Sequence, residues 1–414
     1  MKKRYLLLLP VALCVIACAA AVGYIHFNPS QAPAGTPSVL LREPDAPSAQ
    51  TDAGSGQQPE ELTAAQQRAR ELLDGMTLEQ KLYQMMFVRP ETLTGVGQVV
   101  RAGDATRQAM EAMPVGGIIY FSQNFQGTDR TTELLTNTQQ YAQQAGAGIP
   151  LFFGVDEEGG TVARLSDVLG TTKFDDMAEY GARGSAQEAY DIGETLAADL
   201  SRFGFNVDFA PVADVLSNEN NTEIGARSFG SDPDVVSTMV ENEVNGLQEN
   251  GVMAALKHFP GHGSTQADSH EGTSTTDRTL DELRGCDLLP FAAGIEQDAA
   301  FVLVSHMTAT ALDSVPCSLS SAVITDLLRG ELGYDGIVIT DGLDMGAITA
   351  SYSNGEAAVR AVQAGVDMLL CPPSIADAYQ ALSQAVADGT LTEARIDESV
   401  AHILTAKVEY GLID

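Results

Sequence analysis

The sequence of 414 residues predicts an α/β fold, a single (β/α)8 barrel of the TIM type, preceded by an N-terminal membrane-targeting segment and a disordered linker. Three observations carry this expectation. From about residue 61 onward, eight short apolar runs alternate with amphipathic stretches, as strands alternating with crossover helices do. Every interval between runs is long enough for such a crossover. No repeat with a period of roughly 20–50 residues is visible, which sets a solenoid aside.

Composition narrows the class further. Hydrophobic residues make up 44% of the chain, ample for a sizeable core. Lys and Arg number 23 against 56 Asp and Glu, a net charge of −33. That field repels anions, so no nucleic acid is expected as a partner. There is no Trp, which removes the usual stacking platform for long glycan chains. No Cys-x-x-Cys pair occurs, and Cys286, Cys317 and Cys371 are too few for a disulfide framework in a domain of this size; they read as ordinary thiols.

Residues 1–28 read as an address. Met1–Lys2–Lys3–Arg4 is basic, and the uncharged run Tyr5–Ile25 is long enough to span a hydrocarbon core of ~30 Å. The flanking charges stay in the cytoplasm and place the rest outside. Three fates fit: an uncleaved membrane anchor, a lipoprotein lipidated at Cys18 (Val15-Ile16-Ala17-Cys18 is a relaxed lipobox), or a cleaved signal of a secreted protein. All three make the domain extracytoplasmic, with the membrane touched through this segment only. Residues 29–60 hold six of the 17 prolines among Ala, Gly, Ser and Gln, and cannot bury enough apolar surface to order themselves. They read as a tether. The barrel domain is then 61–414.

Its first helical pattern carries Leu62, Ala65, Ala69 and Leu72-Leu73 on one face, and Thr77-Leu78-Glu79-Gln80 reads as a capping box opening the next helix. The eight runs are Met85–Val88, Gly117–Phe121, Leu151–Val155, Val207–Ala210, Met253–Leu256, Phe301–Val304, Ile337–Thr340 and Met368–Leu370. About 44 residues follow the last one, enough for a closing helix and little else. A barrel places its chemistry at the C-terminal ends of its strands. Those positions hold Arg89, Ser122-Gln123-Asn124, Asp156, Asp208 (within its run), Lys257-His258, Ser305-His306 and Asp341. Of six histidines in the chain, His258, His262, His270 and His306 belong to the loops after runs five and six. The spacing of His258 and His262 would suit zinc on a helix, but Pro260-Gly261 breaks any helix between them and no Glu follows His258. No metal and no cofactor are expected.

Four segments then stand out in order: Gly154-Val155-Asp156-Glu157-Glu158-Gly159-Gly160 ending in Arg164, Phe209-Ala210-Pro211-Val212-Ala213-Asp214-Val215 followed by Ile224–Phe229, Lys257-His258-Phe259-Pro260-Gly261-His262-Gly263 followed by Asp268-Ser269-His270, and Gly336–Met345 around Asp341. Together they resemble glycoside hydrolase family 3, in its β-N-acetylglucosaminidase branch, over some 350 residues from about Leu62. The resemblance implies Asp341 as nucleophile and His270 as acid/base with Asp268 as its partner. It implies that Asp156, Arg164, Arg227, Lys257 and His258 hold the sugar. Chemistry agrees with these roles. A retaining glycosidase needs a carboxylate to trap the anomeric carbon, and a second group that protonates the leaving oxygen and then deprotonates water. A histidine titrating near ~6.5 suits the second task, and a neighbouring carboxylate would orient it. The small, polar stretch between Gly263 and Asp268 reads as a loop that closes over the sugar. Should His270 serve only as a ligand, the acid falls to Asp156, Glu157 or Glu158.

Two features depart from the family. Asp344 puts a second carboxylate three residues after the nucleophile, where it either raises the pKa of Asp341 or points away. With about 44 residues after the last run, no counterpart of the second α/β domain of many relatives is expected in this sequence. The expected function is exo-hydrolysis of a terminal β-linked N-acetylglucosamine with net retention, from cell-wall muropeptides or chitooligosaccharides, by a monomer. The alternatives are phosphorolysis at the same site and a non-catalytic wall-binding barrel.

Overall fold

The computed structural model describes residues 62–265 and 274–414. The targeting segment, the tether, Asp268 and His270 lie outside the described residues, as do Gln266 and Ala267 of the stretch read as a closing loop. Among the described residues no helix is long and apolar enough to cross a membrane.

Eight parallel strands form one sheet: β1 Met86–Val88, β2 Gly117–Ile119, β3 Phe152–Val155, β4 Val207–Asp208, β5 Met253–Phe259, β6 Phe301–Val304, β7 Ile337–Thr340 and β8 Leu369–Leu370. Neighbours in the sheet are neighbours in the chain, and β8 lies beside β1. A parallel bridge between Ile339 and Met368 joins β7 to β8 and closes the ring. All eight apolar runs are therefore strands of one barrel. One bound differs in a way that matters: Lys257 and His258, expected after the fifth strand, lie inside it. The Lys257 N–H donates to Pro211 O (3.3 Å) and its carbonyl accepts from Ala213 N (2.7 Å). Backbone pairing carries the strand past the point where its side chains turn polar, a continuation that an apolar pattern does not report.

Helices Asp104–Ala112, Thr128–Gln143, Ala186–Ser201, Pro233–Glu249, Leu289–Ile295, Ala322–Glu331 and Asn354–Ala364 cross between successive strands. Their starts are written in the sequence. Asp232 accepts from Asp234 N and Val235 N with Pro233 as the first helical residue, and Ser185 accepts from Glu188 N. The capping box at Thr77 is present: Thr77 Oγ1 accepts from Gln80 N (3.3 Å), and Gln80 Oε1 accepts from Thr77 N (2.9 Å). After β8 the chain forms two helices, Ile375–Ala387 and Glu393–Glu409, where one was expected. Gly389, at φ 81°, takes a left-handed turn, and the Thr392 side chain caps a fresh start by accepting from Arg395 N at 3.1 Å. The last helix packs on Ala64–Asp74.

Aromatic rings fill the core. Phe87 meets Phe209 edge-on at 5.5 Å, and Phe152 meets Phe301 edge-on at 5.3 Å. Lys407 is fully buried beside them; its Nζ donates to Gln84 Oε1 (2.9 Å) and Gly116 O (3.0 Å) and sits 4.6 Å from the centre of the Phe152 ring. Burial pushes its pKa well below the ordinary lysine value. Lys407→Met keeps the stem and removes the amine, so its stability in urea unfolding should stay within about 1.5 kcal/mol of wild type. Lys407→Glu would face two acceptor oxygens with a buried carboxylate and should cost at least ~3 kcal/mol or prevent folding.

Candidate active site

The C-terminal ends of the strands surround a cavity of about 270 Å³, walled by Arg89, Asp156, Arg164, Arg227, Asp341 and Asp344 together with Lys257, His258 and the apolar Phe121, Val162 and Met345. Asp341 follows β7 directly. Its backbone N–H donates to Val304 O of β6 (2.9 Å), and its Oδ1 accepts from Gly342 N (2.7 Å), so both backbone and carboxylate are anchored. Behind the turn, His306 is fully buried, with Nε2 2.9 Å from Gly342 O and Nδ1 2.7 Å from Ser318 Oγ. A carbonyl only accepts, so Nε2 carries the proton and Nδ1 accepts from the hydroxyl. His306, counted with the loop histidines, supports the turn that presents Asp341.

Facing Asp341 is a charged cluster. Lys257 Nζ lies 2.8 Å from Asp156 Oδ1 and 2.6 Å from Glu158 Oε1. Arg227 grips Glu158 with two parallel bonds, Nε to Oε2 at 2.8 Å and Nη2 to Oε1 at 2.7 Å. Burial pushes the Glu158 carboxyl up, but the charges of Lys257 and Arg227 outweigh it and hold the group at about 2. This lowered value carries a stability prediction. A carboxyl whose folded pKa lies below its ordinary 4.5 stabilises the fold above that pH, and the contribution fades as pH falls towards about 2. Thermal melts across that window should show wild type losing stability, with Glu158→Gln less stable at neutral pH and flatter in its pH dependence. Glu158 is thus unsuited to donate a proton.

Glu157 points elsewhere. Burial pushes its pKa up to about 7, against the backbone N–H groups of Leu165 and Arg164 that donate to Oε2 at 2.9 and 2.6 Å. It folds the hairpin Glu157–Gly159 and Val162–Ala163 back on itself through Gly159 and Gly160, both left-handed. That hairpin delivers Arg164 to the pocket, helped by Ser122 Oγ donating to Arg164 O at 3.1 Å. The Arg164 Nε is buried with no hydrogen-bond partner among the described residues.

His258 shares the cluster: Arg227 Nη2 lies 3.4 Å from its Nε2, and its Nδ1 lies 2.7 Å from Asp214 Oδ2. The guanidinium only donates, so Nε2 is the acceptor and Nδ1–H donates to Asp214. Asp344 is paired with Arg89, whose Nη2 lies 3.0 Å from Asp344 Oδ2 and whose guanidinium sits 4.5 Å from the centre of the Phe121 ring. The second carboxylate near Asp341 is thereby compensated. Asp208, a candidate from its position in the chain, is not in the pocket; it is fully buried and its Oδ1 accepts from Glu157 N at 3.0 Å.

The pocket therefore gathers six of the eight residues given a catalytic or sugar-holding role from the sequence, Asp156, Arg164, Arg227, Lys257, His258 and Asp341. Sequence reasoning assigned no role to Arg89 or Asp214, and named Glu158 only as a fallback acid. The available signal for Asp214 was a carboxylate set between Ala213 and Val215 in an otherwise apolar segment.

A closed parallel barrel with a carboxylate and a paired-ion sugar-sized pocket at its strand ends has the layout of the barrel glycosidases. The chain belongs to glycosyl hydrolase family 3: the model of that family's N-terminal domain matches residues 77–406. It is 35% identical over 320 residues to beta-hexosaminidase A of Pseudoalteromonas piscicida, covering 71% of this chain and 53% of that relative. It is 36% identical over 302 residues to beta-hexosaminidase LpqI of Mycobacterium tuberculosis, covering 71% and 76%. The solved structure of a family 3 β-N-acetylglucosaminidase from Paenibacillus superposes with a TM-score of 0.76 at 37% identity, over 81% of this chain and 63% of that one. The match thus spans about half of the Pseudoalteromonas relative and under two thirds of the Paenibacillus chain.

Proposed function

We propose that the chain is an exo-acting β-N-acetylhexosaminidase that releases a terminal β-linked N-acetylglucosamine with net retention. One observation carries the reading: the anchored Asp341 lines the same strand-end pocket as the Lys257, Asp156, Glu158 and Arg227 cluster. The names of the relatives point the same way. Vicinal hydroxyls of one sugar ring fit between fixed donors on Arg164, Arg227 and Lys257 and the acceptor Asp156. The Asp341 carboxylate attacks the anomeric carbon as the glycosidic C–O bond breaks, giving a glycosyl ester. His270, oriented by Asp268, gives its proton to the departing oxygen; it then takes one from the water that cleaves the ester. With the targeting segment, the substrates are extracytoplasmic, namely muropeptides or chitooligosaccharides.

Phosphorolysis is less favoured, since Lys257, Arg227 and Arg89 each already carry a carboxylate partner and offer an anion little net charge. Kinetics on an aryl β-N-acetylglucosaminide and an aryl β-glucoside, each with and without phosphate, test the reading. We expect a rate on the first substrate only, independent of phosphate. A rate confined to the glucoside sinks the assignment. A sugar 1-phosphate product establishes the phosphorylase instead, and no turnover of either substrate favours the wall-binding barrel.

A further inference from the structure

We propose that Asp214 is a positioning residue that joins the sugar-binding wall to the stem of the segment bearing the acid/base. This rests on the glycosidase reading above and adds a residue to it. Asp214 is fully buried, between β4 and β5 on the loop that follows β4. Its two oxygens divide their work. Oδ2 accepts from His258 Nδ1 at 2.7 Å and so presents the Nε2 lone pair towards Arg227 and the pocket. Oδ1 accepts from the backbone N–H of His258 (3.3 Å) and from that of His262 (2.5 Å), which lies three residues past the end of β5 on the way to the segment 266–273.

His262 passes the constraint on. It is buried, its Nδ1 lies 2.9 Å from Thr265 Oγ1 and its Nε2 lies 3.2 Å from Ser274 Oγ, so one imidazole touches the two described residues that flank that segment. Thr265 Oγ1 also donates to His262 O (2.9 Å), which makes Nδ1–H the donor and leaves Nε2 to accept from Ser274. Glu223 Oε2 is 3.9 Å from Nε2. Further bonds hold the entry end: Asn221 Nδ2 donates to His262 O (2.9 Å) and Asn218 Nδ2 to Thr265 O (2.8 Å). Gly263 lies so close to Val215 O that a Cβ would stand 2.0 Å from it, which pins this stem onto the Asp214 loop. At the exit end, Ser274 O accepts from Thr308 N at 2.9 Å, tying it to the loop after β6. A single carboxylate therefore sets the angle of a sugar ligand and the origin of the acid/base segment.

The test uses the full chain with Asp214→Asn and Ser274→Ala, assayed on an activated aryl β-N-acetylglucosaminide and on N,N′-diacetylchitobiose. Asp214→Asn turns one oxygen into a donor facing donors. We expect KM on both substrates to rise ~10-fold or more, and kcat on the disaccharide to fall by a further ~10-fold relative to the aryl substrate. Ser274→Ala loosens only the exit end; KM should stay at the wild-type value while kcat on the disaccharide alone falls ~5-fold. A general weakening of the fold would lower both substrates equally and is read separately by melting temperature. The proposal is overturned if Asp214→Asn melts like wild type and keeps KM and the substrate ratio within twofold. If Asp214→Asn fails to fold, an unchanged substrate ratio in Ser274→Ala overturns it, and the lowered ratio supports it. A wild-type chain that releases N-acetylglucosamine from neither substrate rejects the glycosidase reading itself, and the proposal with it.

Discussion

Asp341→Asn is expected to lower turnover by on the order of 10⁴-fold or more while leaving the melting temperature close to wild type. The substitution keeps the shape of the side chain and its acceptor for Gly342 N, so the anchoring bond at 2.7 Å survives. What it removes is the anionic oxygen that forms the covalent ester. No neighbour takes over easily: Asp344 is held by Arg89 at 3.0 Å, and Asp156 by Lys257 at 2.8 Å. A mechanism-based fluorosugar should therefore label Asp341 alone, read by peptide mapping. A label on Asp344 or Asp156 would reassign the nucleophile.

His270→Ala should split the reaction in two. An aryl leaving group of low pKa departs without a proton, so the first step survives and the second, which needs a base for water, does not. The variant should show a burst of one equivalent followed by slow turnover on the activated substrate. On a natural glycoside, whose alkoxide needs protonation, the loss should reach ~10²–10⁴-fold. Azide, which needs no base, should restore part of the second step. Asp268→Asn should give a milder version, because the imidazole remains. Equal losses on both substrates, with no burst and no azide effect, would make His270 a sugar ligand. The acid would then have to be sought among Asp156, Glu157 and Glu158, of which Glu158 is held as a carboxylate by Lys257 and Arg227.

The barrel was legible because its strands are local objects. Runs such as Phe301–Val304 and Ile337–Thr340 are buried on both faces and read as unbroken apolar stretches, and the capping box at Thr77 marks a helix start ahead of them. The pocket was legible for a related reason. A barrel opens its site at the strand ends, and Asp156 and Asp341, read there from the sequence, both line the pocket, whereas Asp208 and His306, read from the same positions, are buried outside it.

What tertiary structure alone decided is which charges meet. Glu157 and Glu158 are adjacent in the chain, yet one folds a hairpin and the other anchors Lys257 and Arg227, 99 and 69 residues away. The extension of β5 through His258 depends on backbone pairing with Val212, and the compensation of Asp344, which follows β7, depends on Arg89, which follows β1 two strands round the closed ring. The amino-acid order by itself determined the elements and the side chains standing at their ends, because propensity, burial pattern and capping act over a few residues. It did not determine the partners, because an ion pair or hydrogen bond of 2.6–3.0 Å is set by where the closed barrel brings distant strand ends together.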